Sequence, residues 1–185
     1  RALIMPHAGY IYSGYTAAHA GLVVKDQQFE KIIVLGPDHR AGFTGCAVSA
    51  VDAYQTPLGR IPLHPDACRL REESGIFRPA PALCEKNEHS IEVILPFLQT
   101  WLKNFQIIPI VVGREQPDKI AAALAPIIDE NTLLVASSDL SHYLPYDQAV
   151  TTDQQTVKMI LHGEADQLAA SKNRACGKIP ISVIV

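Results

Sequence analysis

Asp139 and His142 lie three residues apart in Ser137-Ser138-Asp139-Leu140-Ser141-His142-Tyr143, directly after the apolar run Thr132-Leu133-Leu134-Val135-Ala136. An acid and an imidazole placed where a buried strand runs out suit proton transfer better than packing. The pair reads as the acid/base half of a metal site whose ligands come from other strand ends. Three of the seven histidines, His7, His39 and His142, fall just past an apolar run, and His89 stands at an expected helix start. Two imidazoles with one anionic ligand and open positions suit a redox-active or Lewis-acidic first-row metal. A thiolate, available from Cys176, would favour iron, copper or zinc over magnesium or calcium.

Each residue also has a structural reading. His39 follows Gly36-Pro37-Asp38 and fits a turn, and His89 beside Asn87 and Glu88 fits a helix cap. Asp139 can cap a turn that carries His142. His7, between Pro6 and Ala8-Gly9, fits a structural or outer position, and Cys176 fits a small buried hydrophobe. Their joint placement favours the site. His19, His64 and His162 lack such placement and read as surface or packing residues.

Convergence requires a parallel sheet, in which all strand carboxyl ends share one rim. Ala2-Leu3-Ile4-Met5 and Lys31-Ile32-Ile33-Val34-Leu35 read as strands around a helix over about Gly14 to Lys25, capped by Ser13. That is a βαβ unit, and it predicts an α/β fold with a mostly parallel central sheet flanked by helices. Cys46–Val51 and Gly59–Leu63 read as a hairpin or excursion beside the sheet, and Pro65 opens a short helix to about Glu73. A helix opens at Asn87-Glu88-His89-Ser90 and buries Ile91, Ile94, Leu95, Leu98, Trp101 and Leu102, with Pro96 kinking or splitting it. Gln106–Val112 and Thr132–Ser137 are strands; Pro117–Ile128, Asp147–His162 and Glu164–Ala170 are helices, with Gly163 separating the last two.

Bulk properties narrow the function. The 185 residues fit one domain with a sizeable core, and 48% hydrophobic with 19% charged residues argues against disorder. A net charge of -3 without a Lys/Arg run leaves no footprint of a nucleic-acid binder. No apolar run reaches the length of a membrane span. The four scattered cysteines, without a C-x-x-C pair, read as free thiols in a reducing compartment, which implies the cytoplasm. The chain opens without Met in an apolar run and stops inside Ile179–Val185, so a domain truncated at both ends is expected.

Five motifs occur in the order found in the Memo family, whose prokaryotic branch is the AmmeMemoRadiSam system protein B. They are Pro6-His7-Ala8-Gly9-Tyr10-Ile11-Tyr12-Ser13-Gly14, Gly36-Pro37-Asp38-His39, Asn87-Glu88-His89-Ser90-Ile91-Glu92, Ser137-Ser138-Asp139-Leu140-Ser141-His142 and Ala175-Cys176-Gly177. The resemblance covers nearly the whole chain. It implies a fold like the class III extradiol dioxygenases, non-haem Fe(II) enzymes that cleave catechol rings. It also implies iron or copper at His39, His89 and Cys176, with zinc as a further option. Asp139 and His142 become catalytic pocket residues, and His7 and Tyr10 pocket or outer residues. Cysteine stands where the dioxygenases have a carboxylate, so ring cleavage is not carried over.

Two functions of different class follow. One is a metal-dependent oxidoreductase acting on a small molecule, with His142 as acid/base steered by Asp139. The other is an adaptor whose pocket takes a peptide or a partner protein, with Tyr10, Tyr12 and Tyr15 beside it; family association adds radical-SAM and AMMECR-type proteins as partners. Serine hydrolysis through Ser137 or Ser138 ranks last, because no G-x-S-x-G elbow is present.

Overall fold

Lys31–Pro37 (β2) is buried at every position, and its side chains alternate between two cores. Ile32 and Val34 face one cluster and Ile33 and Leu35 the other, so helices must cover both faces of the sheet. Each such side chain contributes about 1.5–3 kcal/mol by leaving water. The computed structural model describes residues 1–172 and 175–185, with Ala82, Leu83 and Glu85 described in backbone only.

Around β2 stand Ala2–Met5 (β1), Cys46–Val48 (β3), Phe77–Pro79 (β6), Gln106–Val112 (β7) and Thr132–Ser137 (β8). They form a six-stranded sheet in the order β1-β8-β2-β7-β3-β6. β1, β8, β2 and β7 run parallel, β3 pairs antiparallel with β7, and β6 follows β3. The expected α/β fold with a mostly parallel sheet is what the chain adopts. Tyr10–Ala18 (α1), Gly21–Val24 (α2) and Leu95–Trp101 (α5) cover one face through Ala17, Val24, Leu95 and Leu98. Asp66–Glu73 (α3), Pro117–Leu124 (α6) and Lys178–Ile184 (α9) cover the other through Ala67, Leu70, Ile120, Leu124 and Val183. Tyr146–Leu161 (α7) and Ala165–Ala170 (α8) join α9 over Ala136 with Leu168 and Ile181. Lys31, at the opposite end of the sheet from the histidines, is buried but ion-paired to Asp66 (3.0 Å) and Asp129 (3.5 Å).

Several expected elements are displaced. The first helix starts at Tyr10 with Gly9 as its cap, and the Ser13 hydroxyl donates to the Ala8 carbonyl instead of capping. It breaks before Gly21, which packs so closely on the Trp101 indole that any side chain there would overlap the ring. Cys46–Val48 is not an excursion but a strand of the main sheet; the hairpin is Ala53–Thr56 (β4) with Gly59–Pro62 (β5). Asn87 ends a helix, Ala82–Asn87 (α4), where the sequence predicts a start. Glu88 is extended, Glu92–Ile94 forms one 3-10 turn, and α5 begins with Pro96 in its first turn. Proline is tolerated there because the missing N–H would have had no partner.

Candidate metal centre

The register of the sheet places the candidate residues. Met5 pairs with Ser137 and Leu35 with Ala136, so β1, β8 and β2 end side by side. His7, Asp139 and His39 each lie two residues past one of these ends. Asp139 fastens two of the loops together: its Oδ1 accepts the amides of His7 (2.9 Å) and Ala8 (3.1 Å). Two glycines permit the remaining approaches. A side chain at Gly36 would overlap Ser90 and Ile91, and one at Gly177 would overlap the Ser137 carbonyl and Ser138 side chain. The Gly177 amide donates to Ser138 Oγ (2.9 Å), which sets Cys176 against the end of β8.

Hydrogen bonds fix the direction of His7. Its side chain is 1% exposed, and Nδ1 lies 2.7 Å from Ser137 Oγ. That hydroxyl already donates its proton to the Ser90 carbonyl, so it accepts from His7 and Nδ1 carries the hydrogen. Nε2 is thereby turned toward Cys176 Sγ at 3.2 Å. His39 has Nδ1 at 2.9 Å from Glu88 Oε1, so the carboxylate accepts its hydrogen and the other ring nitrogen is directed inward. Cys176 Sγ also accepts the Asp139 amide (3.3 Å).

A ring nitrogen of His7, one of His39 and Cys176 Sγ lie within 4.8 Å of one another. Ligand atoms about 2.0–2.3 Å from a shared ion are roughly 3–4 Å apart, so little movement closes the set on a cation. Two imidazoles and a thiolate also match the chemistry of iron, copper or zinc. Asp139, His142 and Cys176 form a second such group, and His39, Glu88 and His89 a third. His89 is 41% exposed; its ring stacks on His39 at 5.1 Å and meets His7 edge-on at 5.5 Å.

Electrostatics favour charge at the centre. Burial alone would raise the Cys176 thiol, but hydrogen bonds from His39, His7 and the Asp139 amide bring it down to about 6. The hydrogen bond to Cys176, then that to Glu88, raises His39 to about 10. Burial opposes ionisation of Glu88, yet the His39 ring, its amide and the Ser90 amide together lower that carboxyl to about 2. His89 is lowered, chiefly by burial. At neutral pH these shifts favour thiolate at Cys176, imidazolium at His39 and carboxylate at Glu88.

A family model described as Memo-like protein matches residues 1–185. The chain belongs to the Memo-like family. A MEMO1 family protein of Aeropyrum pernix is 38% identical over 199 residues, which cover all of this chain and 70% of that protein. The protein memo-1 homolog of Caenorhabditis elegans is 33% identical over 211 residues, covering all of this chain and 60% of the homolog. A MEMO1 family protein of Caldivirga maquilingensis is 31% identical over 170 residues, 86% of this chain and 59% of the relative. The chain thus spans roughly 59–71% of the length of such relatives.

In this Memo-like chain the ordered motifs do meet at one rim. His39 and Cys176 share a donor group, and Asp139 and His142 share another with Cys176. The third member of the first group is His7, which the sequence places in an outer role, while His89 falls with His39 and Glu88. Tyr10 directs its hydroxyl to the Val93 carbonyl (3.0 Å) and packs on Phe97. Sequence reasoning missed Glu88, whose signal was a lone acid before His89. The hydroxyl of Ser137 is buried and committed to Ser90 and His7, which removes it as a nucleophile. All four cysteines are free thiols, and no helix among the described residues is long and apolar enough to cross a membrane.

Proposed function

We propose that this rim is a metal centre in which His7, His39 and Cys176 hold iron or copper, serving a non-haem oxidoreductase with a small-molecule substrate. The observation that carries it is the convergence of two inward imidazole nitrogens and a thiolate, with Ser137 and Glu88 holding the imidazoles from outside. Zinc satisfies the same donors without redox chemistry. When bound, an iron or copper ion would supply a Lewis-acidic centre capable of one-electron chemistry. His142, half-buried and grouped with Asp139 and Cys176, moves a proton to or from a substrate there. Asp139 keeps the His7 loop in place and lends negative charge beside Cys176. The thiolate in place of the dioxygenase carboxylate argues for a reaction other than catechol cleavage. His89, stacked over His39, borders the substrate space in this reading, in place of the ligand role that the resemblance implies.

Elemental analysis of protein purified anaerobically tests this. Stoichiometric iron or copper supports the reading; metal-free protein that no iron or copper salt reconstitutes contradicts it. A second reading, a binding module for a peptide or for radical-SAM or AMMECR-type partners, draws on α1. Ile11, Tyr12 and Tyr15 are more than 80% exposed on that helix, directly after the His7 loop. Partner binding that survives His142→Ala and is lost in Tyr12→Ala with Tyr15→Ala would favour it.

A further inference from the structure

The side chain of Glu88 is closed off from solvent, at 1% exposure against 19% for Asp139. Both Glu88 oxygens accept N–H groups. Oε2 accepts the His39 amide (2.6 Å), and Oε1 accepts the His39 ring (2.9 Å) and the amides of His89 (2.9 Å) and Ser90 (2.8 Å). A carboxylate so engaged is better placed to hold His39 than to ligate a cation itself. It contacts the same residue twice, once at the backbone and once at the ring, which fixes both the loop and the rotation of the imidazole. The Ser90 hydroxyl completes the clamp by donating to the Pro37 carbonyl (3.0 Å), just before His39.

From this geometry we propose that Glu88 is the positioning residue of the centre: it locks the hydrogen of His39 on Nδ1 and thereby turns Nε2 toward His7 and Cys176. This rests on the metal reading above, in which His39 is a ligand. A carboxylate behind a ligating imidazole fixes its tautomer and raises its donor strength, and removing such a partner weakens metal affinity about 10–100-fold. Glutamine cannot replace it, because its amide nitrogen would meet an N–H wherever it points.

The test joins Co(II) titration followed by visible absorption with ring 15N spectra of the metal-free protein. Wild type shows His39 protonated at Nδ1, and Glu88→Gln shows a mixture of ring states at His39 with His7 unchanged. Glu88→Gln binds Co(II) about 10–100-fold more weakly with a displaced spectrum, and Glu88→Asp recovers part of both. Wild-type affinity and spectrum in Glu88→Gln would overturn the proposal, leaving Glu88 a tie of the fold. So would a wild-type His39 that carries hydrogen on Nε2 alone, a result that needs no variant to fold. Failure of wild type to take up Co(II) would count against the metal reading, while the ring nitrogens still decide the positioning claim.

Discussion

His7 Nε2 lies 3.2 Å from Cys176 Sγ, across 169 positions of sequence. The contact exists because β1 and β8 end in register and because Gly177 lets the start of α9 press against β8. Both sides of it are held from behind, His7 by Ser137 and Cys176 by the Asp139 amide.

Gly177→Ala should break this arrangement at its narrowest point. The new methyl would overlap the backbone carbonyl of Ser137, which cannot swing away like a side chain. Overpacking of this kind costs about 1–3 kcal/mol, and here it also moves Cys176. Denaturant unfolding with a thiol-reactivity assay checks both. Unchanged stability and unchanged Cys176 reactivity would show that the approach is looser than described.

Acid should act on stability through Glu88. Its carboxyl stands near 2 in the fold against 4.5 when free. A depressed acid contributes stability that is complete above the unfolded value and is lost as pH falls through the folded one. The gap amounts to about 3 kcal/mol, lost between about pH 4.5 and pH 2. Urea unfolding across that window should show the loss in wild type and a flatter profile in Glu88→Gln. Parallel profiles would contradict the assignment.

Metal binding should release protons in a pH-dependent number. His39 is raised from 6.5 to about 10, so its contribution to stability is complete below pH 6.5 and fades as pH rises through 10. Cys176 is lowered from 9.0 to about 6, so its contribution is present above pH 9.0 and fades as pH falls through 6. The two slopes oppose each other, as expected for one proton held by the pair. Near pH 8 an incoming ion displaces about one proton, from His39; below pH 6 the number rises toward two as Cys176 also protonates. Calorimetry in buffers of different ionisation enthalpy measures this. A count that stays at zero would place the ion elsewhere.

Long buried strands were legible because β2, β7 and β8 are apolar on both faces and bounded by Gly, Pro or polar residues. Cys46–Val48 was not, since three residues carry no periodicity and only pairing with β7 defines them. The helical spacing of Ile91, Ile94, Leu95 and Leu98 hid the break at Glu88, whose carboxylate satisfies amides that a helix would otherwise use. At the site, strand-end positions point His7, His39, Asp139 and His142 to one rim, with His89 at an expected helix start, whereas Cys176 follows no strand and joins them only through the family resemblance. The role of His7 was hidden for a different reason. Its outer partner, Ser137, is 130 positions away, so the direction of its ring is a tertiary property.

Metal content of three variants distinguishes His7 from His89 as the third donor beside His39 and Cys176. Iron or copper should be measured per chain after anaerobic reconstitution of wild type, His7→Ala, Cys176→Ala and His89→Ala. One ion is expected in wild type and in His89→Ala, and loss in His7→Ala and Cys176→Ala. Retention in His7→Ala together with loss in His89→Ala would contradict the choice of His7 and move the centre outward to His39 and His89.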